Sequence, residues 1–533
     1  MKNQFLNKLF IICIFLYSIQ ITNAQNFQFQ GNITNDTIWA ADTLEITGDV
    51  LIDSNVTLTV LPGTFVHITG YFSIWSYGAI RAIGTETDTI VFTHLDTLQH
   101  ADTSTVAGGW HGIRLLPRSS GDTTIFKYCK ITNGKAVVPG SYLPYYDKPD
   151  NIGGNLYAVD FVSMLIENSY IANGRVKAHG GGIYLEKANF VQIQNCHFRY
   201  NHCYRYGGGA CIREIDTLYV SNNLFNYNTA YYVVQGWAGG VGGGIAIMHG
   251  LGYNSYALIE NNRFFNNKTV SGILYDSYYH ADIIGNTICN NYGTALCNCH
   301  DFNYPVYTNN TIVNNVRMGW SGVAIYSPNT TLINNIIWRN LAYPNYPTDQ
   351  LYIIGVDPPV VKYCDVMFGF EGEGNIDATP LFTNPTPGIG PSYDALNADW
   401  SLTDNSPCVN TGTPDTSGLF LPDYDIEGNP RICGFRIDMG AYENQQFSFI
   451  PTVFYNNNKY KIFPNPGRNQ ITIKTNTKNS YFELFDFTGK ILLKKFISGY
   501  STEVNVSHLP KGIYFYRIYN DKGLFDSGKW IKQ

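Results

Sequence analysis

Three glycine triplets, Gly180-Gly181-Gly182, Gly207-Gly208-Gly209 and Gly242-Gly243-Gly244, supply a common frame for residues that can do chemistry. In that frame Lys187, Glu214 and His249 share one position, and Glu186, Arg213 and Met248 share the one before it. If equivalent residues stack from strand to strand, these groups come within about 5 to 10 Å of each other. A base beside a cation suits proton abstraction next to a carboxylate, with the cation neutralising that carboxylate. Lys187, Arg213, Glu214 and His249 are therefore the candidate catalytic set. The plainer alternative is a surface ladder of ion pairs, worth little to stability, and it is the favoured one.

Other chemistry finds less support. Hydrolysis of a glycosidic bond needs two flanking carboxylates, and no paired-aspartate motif is present; His179-Gly180 and His249-Gly250 are only fragments of a Gly-His-Gly motif. No aspartate-rich cluster asks for calcium and the cysteine spacings make no zinc pattern, so no metal or cofactor is expected. Tyr142, Tyr145 and Tyr146 fall in one predicted loop, and Tyr231, Tyr232 and Trp237 in another. Aromatic faces with polar tips suit sugar or protein ligands. They equally suit a covering for the flank of the fold.

The elements that would position these groups emerge from a repeat. Segments such as LIENSYIANG (165–174), QIQNCHFRYN (192–201), LIENNRFFNN (258–267) and LINNIIWRN (332–340) are alike. Aligned on Ser169, Cys196, Asn223, Asn262, Asn286, Asn310 and Asn335, they recur at spacings of 27, 27, 39, 24, 24 and 25. Two residues after each anchor stands a large apolar side chain, among them Ile171, Phe198, Phe225 and Phe264. Five after it stands Gly174, Asn201, Asn228, Asn267, Asn291, Asn315 or Asn340. Cys129, with Ile131 and Gly134, fits the same frame 40 residues earlier.

A period of 24 to 27 residues with alternating apolar positions is one coil of a β-solenoid, too short for a helix pair. Stacked coils set strands in parallel about 4.8 Å apart, with like side chains superposed. Columns of Ile and Phe then form the core. Asparagine tolerates left-handed turns, and its amides can bond along a column, so Asn201, Asn228, Asn267, Asn291, Asn315 and Asn340 are assigned to a structural ladder. The spacings of 39 and 40 mark coils with inserted loops, Val137 to Leu156 and the region of Tyr231 to Trp237; such loops often carry partner sites.

Composition agrees. The 533 residues include 54 Asn, 51 Gly, 40 Tyr and 31 Phe, with only 14% charged and a net charge of −6. This excludes a disordered chain and argues against a nucleic-acid binder. Lys2 and Lys8 precede an apolar run from Leu9 to Tyr17, and small residues allow cleavage between Ala24 and Gln25. Residues 1–24 are expected to be a signal peptide; no later apolar run is long enough to span a membrane. Ten cysteines remain after Cys13 leaves, and oxidising surroundings permit bridges whose pairing stays open. From Thr452 to Gln533 there are 13 Lys+Arg against 5 Asp+Glu, a net of +8, so the tail forms a separate domain behind a linker at 447–458. Five strands are predicted there, with a hairpin turn at Thr488-Gly489.

These motifs resemble right-handed parallel β-helix proteins secreted by Bacteroidetes-type bacteria. ITGDVLIDSNVTLTVLPGT (46–64), GAIRAIGT (78–85) and GGWHGIRL (108–115) are similar to that family's opening coils. SPCVNTG (406–412), DIEGNPR (425–431) and DMGAYE (438–443) resemble a closing module. A last coil left open invites edge pairing, so Asp425, Arg431, Asp438 and Glu443 are assigned to the turns and ion pairs of a cap. YKIFPNPGRNQITI, FDFTGKIL, VSHLPKGIYFYRI and the final Lys529-Trp530 resemble the sorting domain of the type IX secretion system. The resemblance implies an all-β chain: cap and first coils over 25–115, repeats over 116–345, last coils and cap over 346–446, and an antiparallel sandwich over 459–533. It further implies a partner in the type IX secretion machinery and a place outside the cell or on its outer surface. The function expected is a glycan- or protein-binding adhesion module, monomeric, meeting a polysaccharide or a cell-surface protein. The alternatives are a polysaccharide lyase or glycoside hydrolase acting on an acidic polysaccharide, and a structural spacer.

Overall fold

The computed structural model describes residues 26–117, 121–139, 149–234, 237–248, 255–277, 280–298, 304–317, 322–327, 329–342, 346–347, 350–354, 358–445, 460–475, 479–486, 489–520 and 523–533. The chain divides into two compact units, residues 1–447 and 448–533.

In the first unit, 33 strands join in one parallel system. His197–Arg199 pairs between Tyr170–Ala172 and Leu224–Asn226. Arg263–Phe265, Thr287–Cys289, Thr311–Val313 and Ile336–Trp338 then follow rung by rung. The sequence repeat is thus the strand register, and the all-β solenoid expected from it forms. Each rung contributes to three faces. The first holds Leu156–Val159 and Ile245–Met248, the second Ser163–Glu167 and Tyr256–Glu260, and the third the repeat segments just named. Ile183–Gln194 and Ala210–Ser221 run from the first face round into the second.

Alternation sends every second side chain inward. Ile171, Phe198, Phe225, Phe264, Ile288, Ile312 and Ile337 are all buried in one core. Phe198, Phe225 and Phe264 stack face to face, with centroids 4.6 and 4.9 Å apart and planes within 9°. That separation is the strand spacing itself.

The asparagines divide two tasks between neighbours. The residue before each ladder position takes the left-handed turn, as at Asn195, Asn222, Asn261, Asn309 and Asn334 (φ 52° to 58°). The following residue makes the ladder. The turn is therefore not made by the ladder asparagines, as their turn propensity suggested, because an inward amide leaves the bend to its neighbour. Asn223 Nδ2 donates to Asn262 Oδ1 at 2.9 Å, Asn262 to Asn286 at 3.0 Å, Asn286 to Asn310 at 3.1 Å and Asn310 to Asn335 at 3.0 Å. A second column runs from Asn201 through Asn228, Asn267, Asn291 and Asn315 to Asn340, with 2.8 to 3.1 Å between amides. Each amide also serves backbone groups: Asn228 accepts from the Asn201 N–H and donates to the Phe198 carbonyl. Buried polar groups are thereby satisfied. Gly134 and Gly174 lack an amide, and Asn155 and Asn201 supply the missing acceptors to their N–H groups at 2.8 Å. At the far end Gln350 receives Asn340 and donates back to its carbonyl at 2.9 Å. Asn375 closes the first column by accepting from the Cys364 N–H at 2.9 Å.

Nine described cysteines are buried and unbridged. Cys129, Cys196 and Cys364 take ladder positions and donate to carbonyls at 3.3 to 3.4 Å. Burial pushes the Cys196, Cys203 and Cys364 thiols up to about 12, and thiols without thiolate do not react. The expected result of alkylating the native protein with iodoacetamide is that these nine stay unmodified, while urea exposes them all; peptide mass mapping decides it.

The closing segment does not sit on the end of the coils as a cap would. Residues 378–445 turn back along the outside of the third face, because that face carries apolar side chains outward. Phe265, Cys289, Val313 and Ile336 bury Trp400, Leu402, Ile426, Met439 and Tyr442 against them. The turn asparagines hold it: Asn266 donates to the Tyr393 carbonyl at 2.8 Å, Asn290 to Gly390 at 3.1 Å and Asn309 to Asp438 at 2.8 Å. Inside the flap Arg431 lies 3.4 Å from Glu443, while Asp425 and Asp438 accept backbone N–H groups. Asp365 of the last rung accepts from Cys408 Sγ at 3.2 Å, tying flap to coil.

The second unit is antiparallel. Tyr460–Phe463, Gln470–Thr475 and Ser501–Asn505 form one sheet; Ser480–Phe485, Ile491–Ile497, Gly512–Asn520 and Gly523–Lys532 form another. Ile471, Ile473, Phe482, Leu484, Ile518 and Trp530 make its core. Buried Glu483 is met by Lys494 at 3.1 Å and Arg517 at 2.7 Å, and accepts from Tyr519. Five of these seven strands match the predicted ones; the first and last were not foreseen.

Candidate binding face

Strand register pairs Glu186 with Arg213 and Arg213 with Met248, which sets Lys187 beside Glu214. Both Lys187 and Glu214 have left-handed backbone (φ 56° and 51°), at the bend between the first and second faces. Lys187 is exposed, Glu214 half-buried. His249 lies outside the described residues. The ion pair here is one column over: Arg213 Nη1 lies 3.8 Å from Glu186 Oε1. Tyr184 braces it, donating to Glu186 Oε2 at 2.8 Å and accepting from Arg213 at 3.2 Å. Burial works against the charge on Arg213, but Tyr184 and Glu186 outweigh it and its pKa is raised. Arg213, one of the two cations of the candidate set, is thus committed to Glu186.

Tyr142, Tyr145 and Tyr146 also lie outside the described residues. Tyr232–Val234 and Trp237–Gly239 form an antiparallel hairpin in the longer inserted loop. Beside it, the Tyr231 ring lies 4.2 Å from Lys268 Nζ and packs edge-on to Tyr292 at 6.4 Å. Tyr231 is engaged with the flank of the coil; Tyr232 is half-buried.

Sequence patterns missed the outward side of the second face. Phe190, Tyr219, Tyr256 and His280 stand on four successive rungs, half-exposed. Their rings follow one another at 5.7, 6.4 and 5.5 Å. Tyr256 donates to Asp282 Oδ2 at 2.9 Å, and His280 Nε2 lies 3.7 Å from the same oxygen. The hydrogen bond to Asp282 raises the His280 pKa. Glu260 is half-buried on the same face, and burial raises its carboxyl. It pairs with Ile284, so Asp282 stands diagonally across, about 7–8 Å away between backbones. The signal was available: Tyr219, Tyr256 and His280 occupy outward positions of alternating strands, and became a row only once the inserted loop before Tyr256 was allowed for.

No cluster of His, Cys, Asp and Glu that could hold a metal occurs among the described residues. No helix among them is long and apolar enough to cross a membrane.

Residues 100–337 match the right handed beta helix region family, and residues 461–533 match the secretion system C-terminal sorting domain family. No curated protein matches the chain. The parallel rungs, their ladders and the antiparallel tail agree with both matches: this is a secreted or cell-surface protein that carries a right-handed β-helix followed by a type IX secretion sorting domain.

Proposed function

We propose that the protein is a surface-displayed glycan-binding module whose ligand lies along the second face. One observation carries this reading: the half-exposed row Phe190, Tyr219, Tyr256 and His280, edged by the carboxylates of Asp282 and Glu260. Aromatic rings offer an apolar surface to the C–H faces of sugars, and carboxylates accept from their hydroxyls. Rungs about 4.8 Å apart approximate the length of one unit in an extended sugar chain. Next to the row stand the acids Glu260 and Asp282, which favours neutral glycans over uronate polymers there; Arg81 and Lys127, cations of this face, stand on earlier rungs.

The expected result is saturable binding of one class of neutral oligosaccharide on a glycan array. Tyr219→Ala with Tyr256→Ala should weaken it at least 10-fold with the far-UV spectrum of the folded coil retained. Unchanged binding in that double variant sinks the proposal, and no binding to any glycan favours a spacer. Deleting 137–156 does not test the loop tyrosines, since it also removes Asn155 and opens the Leu156–Val159 strand.

Glycoside hydrolysis is the second reading, favoured by Glu260. A carboxyl raised by burial is a fit proton donor, and buried Asp282, diagonal to it in the register, is the second carboxylate. Release of reducing ends by the wild type and its loss in Glu260→Gln, with glycan binding retained, is the outcome expected of it.

A further inference from the structure

Positive charge gathers on the flank where the third face turns back to the first. Short strands build that flank rung by rung. Lys135–Ala136, Arg175–Val176, His202–Cys203, Thr229–Ala230 and Lys268–Thr269 pair in parallel, and Tyr292 bridges to Lys268 on the next rung. Ala136, Val176, Cys203 and Ala230 close a small apolar cluster. Alternation therefore turns Lys135, Arg175, His202, Thr229 and Lys268 outward in one column. Residues 26–447 hold 20 Lys+Arg against 36 Asp+Glu, so a basic column without an acid runs against the composition of its own unit.

Only the start of the column is used up internally. Lys135 is buried under an inserted loop and donates to the Gln99 and Ala107 carbonyls at 2.9 and 2.7 Å. Further along, Lys268 is exposed and Arg175 half-exposed, and neither makes an ion pair among the described residues. Of the Arg175 nitrogens, only Nε is sealed from solvent without a partner. His202 stands between the two cations. Burial, then Arg175 and Lys268, hold its imidazole down to about 3, which marks a positive field.

Aromatic rings line the same strip. Tyr204, half-buried, meets His202 edge-on at 5.4 Å, and its hydroxyl lies 2.9 Å from that of Thr103. The Lys268 ammonium lies 4.2 Å from the ring centre of Tyr231 and 5.7 Å from that of Tyr292, both half-buried. Cations set along tyrosine faces suit a ligand that is both anionic and built of rings. Arg175 and Lys268 are three rungs apart, about 14 Å. A single small anion does not span them, whereas a chain lying along the coil axis does.

We propose that this strip binds a linear acidic polysaccharide, its anionic groups on Arg175 and Lys268 and its sugar rings against Tyr204, Tyr231 and Tyr292. The strip is separate from the aromatic row of the second face and does not depend on it. Hexagalacturonate is the probe, with its full methyl ester as the uncharged match and hexaglutamate as the anion without rings. In calorimetric titration of the full chain, hexagalacturonate should bind saturably, more weakly as salt is added, and more tightly than hexaglutamate; the methyl ester should not bind. It should also protect Lys268, but not the exposed Lys130 of the third face, from N-hydroxysuccinimide acetate, as read by peptide mass. Arg175→Gln with Lys268→Gln should weaken binding about 10-fold, while Tyr219→Ala with Tyr256→Ala leaves it unchanged. Because Arg175 is partly packed, Lys268→Gln alone serves as the second variant and should weaken binding about 3-fold. Binding unaltered in the folded Arg175 and Lys268 variants places the ligand elsewhere, the basic sorting domain included, and overturns the proposal. So do an absence of hexagalacturonate binding, equal binding of hexaglutamate or of the methyl ester, and equal protection of Lys268 and Lys130.

Discussion

Replacing Asn291 with alanine should lower the unfolding free energy by about 3–6 kcal/mol. Its amide accepts from the Asn267 N–H at 2.7 Å and Asn267 Nδ2 at 3.1 Å, and donates to the Phe264 and Cys289 carbonyls and to Asn315. Alanine leaves two or three of these buried groups unpaired, at about 1–3 kcal/mol each. Asn291→Asp keeps the acceptor but brings in a buried charge and loses the donors, so it should be no better. Asn195→Gly is the control. Asn195 is exposed with φ 54°, a conformation glycine adopts freely, so the change should lie within about 1 kcal/mol. Urea unfolding of the three variants separates them. A loss under 1 kcal/mol for Asn291→Ala would show that the ladder is ornament and that hydrocarbon stacking alone holds the rungs.

The melting temperature of the coil unit should fall as pH rises from 4 to 8. Asp365 is buried without a cation, and burial raises its carboxyl to about 7. A carboxyl whose folded pKa lies above its unfolded value stabilises the fold at low pH, and that contribution is lost as pH rises through the folded value. From about 3.9 unfolded to about 7 folded, the loss reaches about 4 kcal/mol at most. Burial raises Asp438 and Glu443 as well, and the single Arg431 that faces both does not offset it. The flap should therefore loosen first, where Cys408 meets Asp365. Differential scanning fluorimetry across this range, repeated on Asp365→Asn, measures it. A Tm that rises with pH, or a slope unaltered in Asp365→Asn, refutes the assignment. Glu483 of the sorting domain supplies an internal contrast. Burial would raise it, but Tyr519, Arg517 and Lys494 outweigh burial and hold it lowered. That unit gains stability as pH rises through the carboxylate range.

The coil was legible because its order is periodic. Ser169, Cys196, Asn223 and Asn262 announce the register at any spacing, since the ladder tolerates insertions between rungs but not within them. Less was legible where a side chain's role depends on what covers it. Arg114 stands at an outward strand position, and nothing in GGWHGIRL says that it is sealed off. The flap was recognised as a closing element, but its address was not. Leu224, Phe265, Val313, Ile336 and Trp338 are apolar at outward positions, and that excess was the available sign that the third face is covered. The Lys187 column shows the converse. Its register could be derived from glycines, yet the commitment of Arg213 to Glu186 and Tyr184 depends on rotamers that spacing does not encode.

The two amide columns do not simply stop. Gln350, one methylene longer than asparagine, folds its own N–H back onto the rung it has just received, and Asn375 does the same work beside it by bonding to the Val361 and Phe370 carbonyls. A stack of identical coils is otherwise a template that any further copy could extend, as in a growing fibre. With its last amides turned inward, this terminus offers an incoming chain no amide row to copy, so the ladders give molecules crowded on one surface no template for joining end to end.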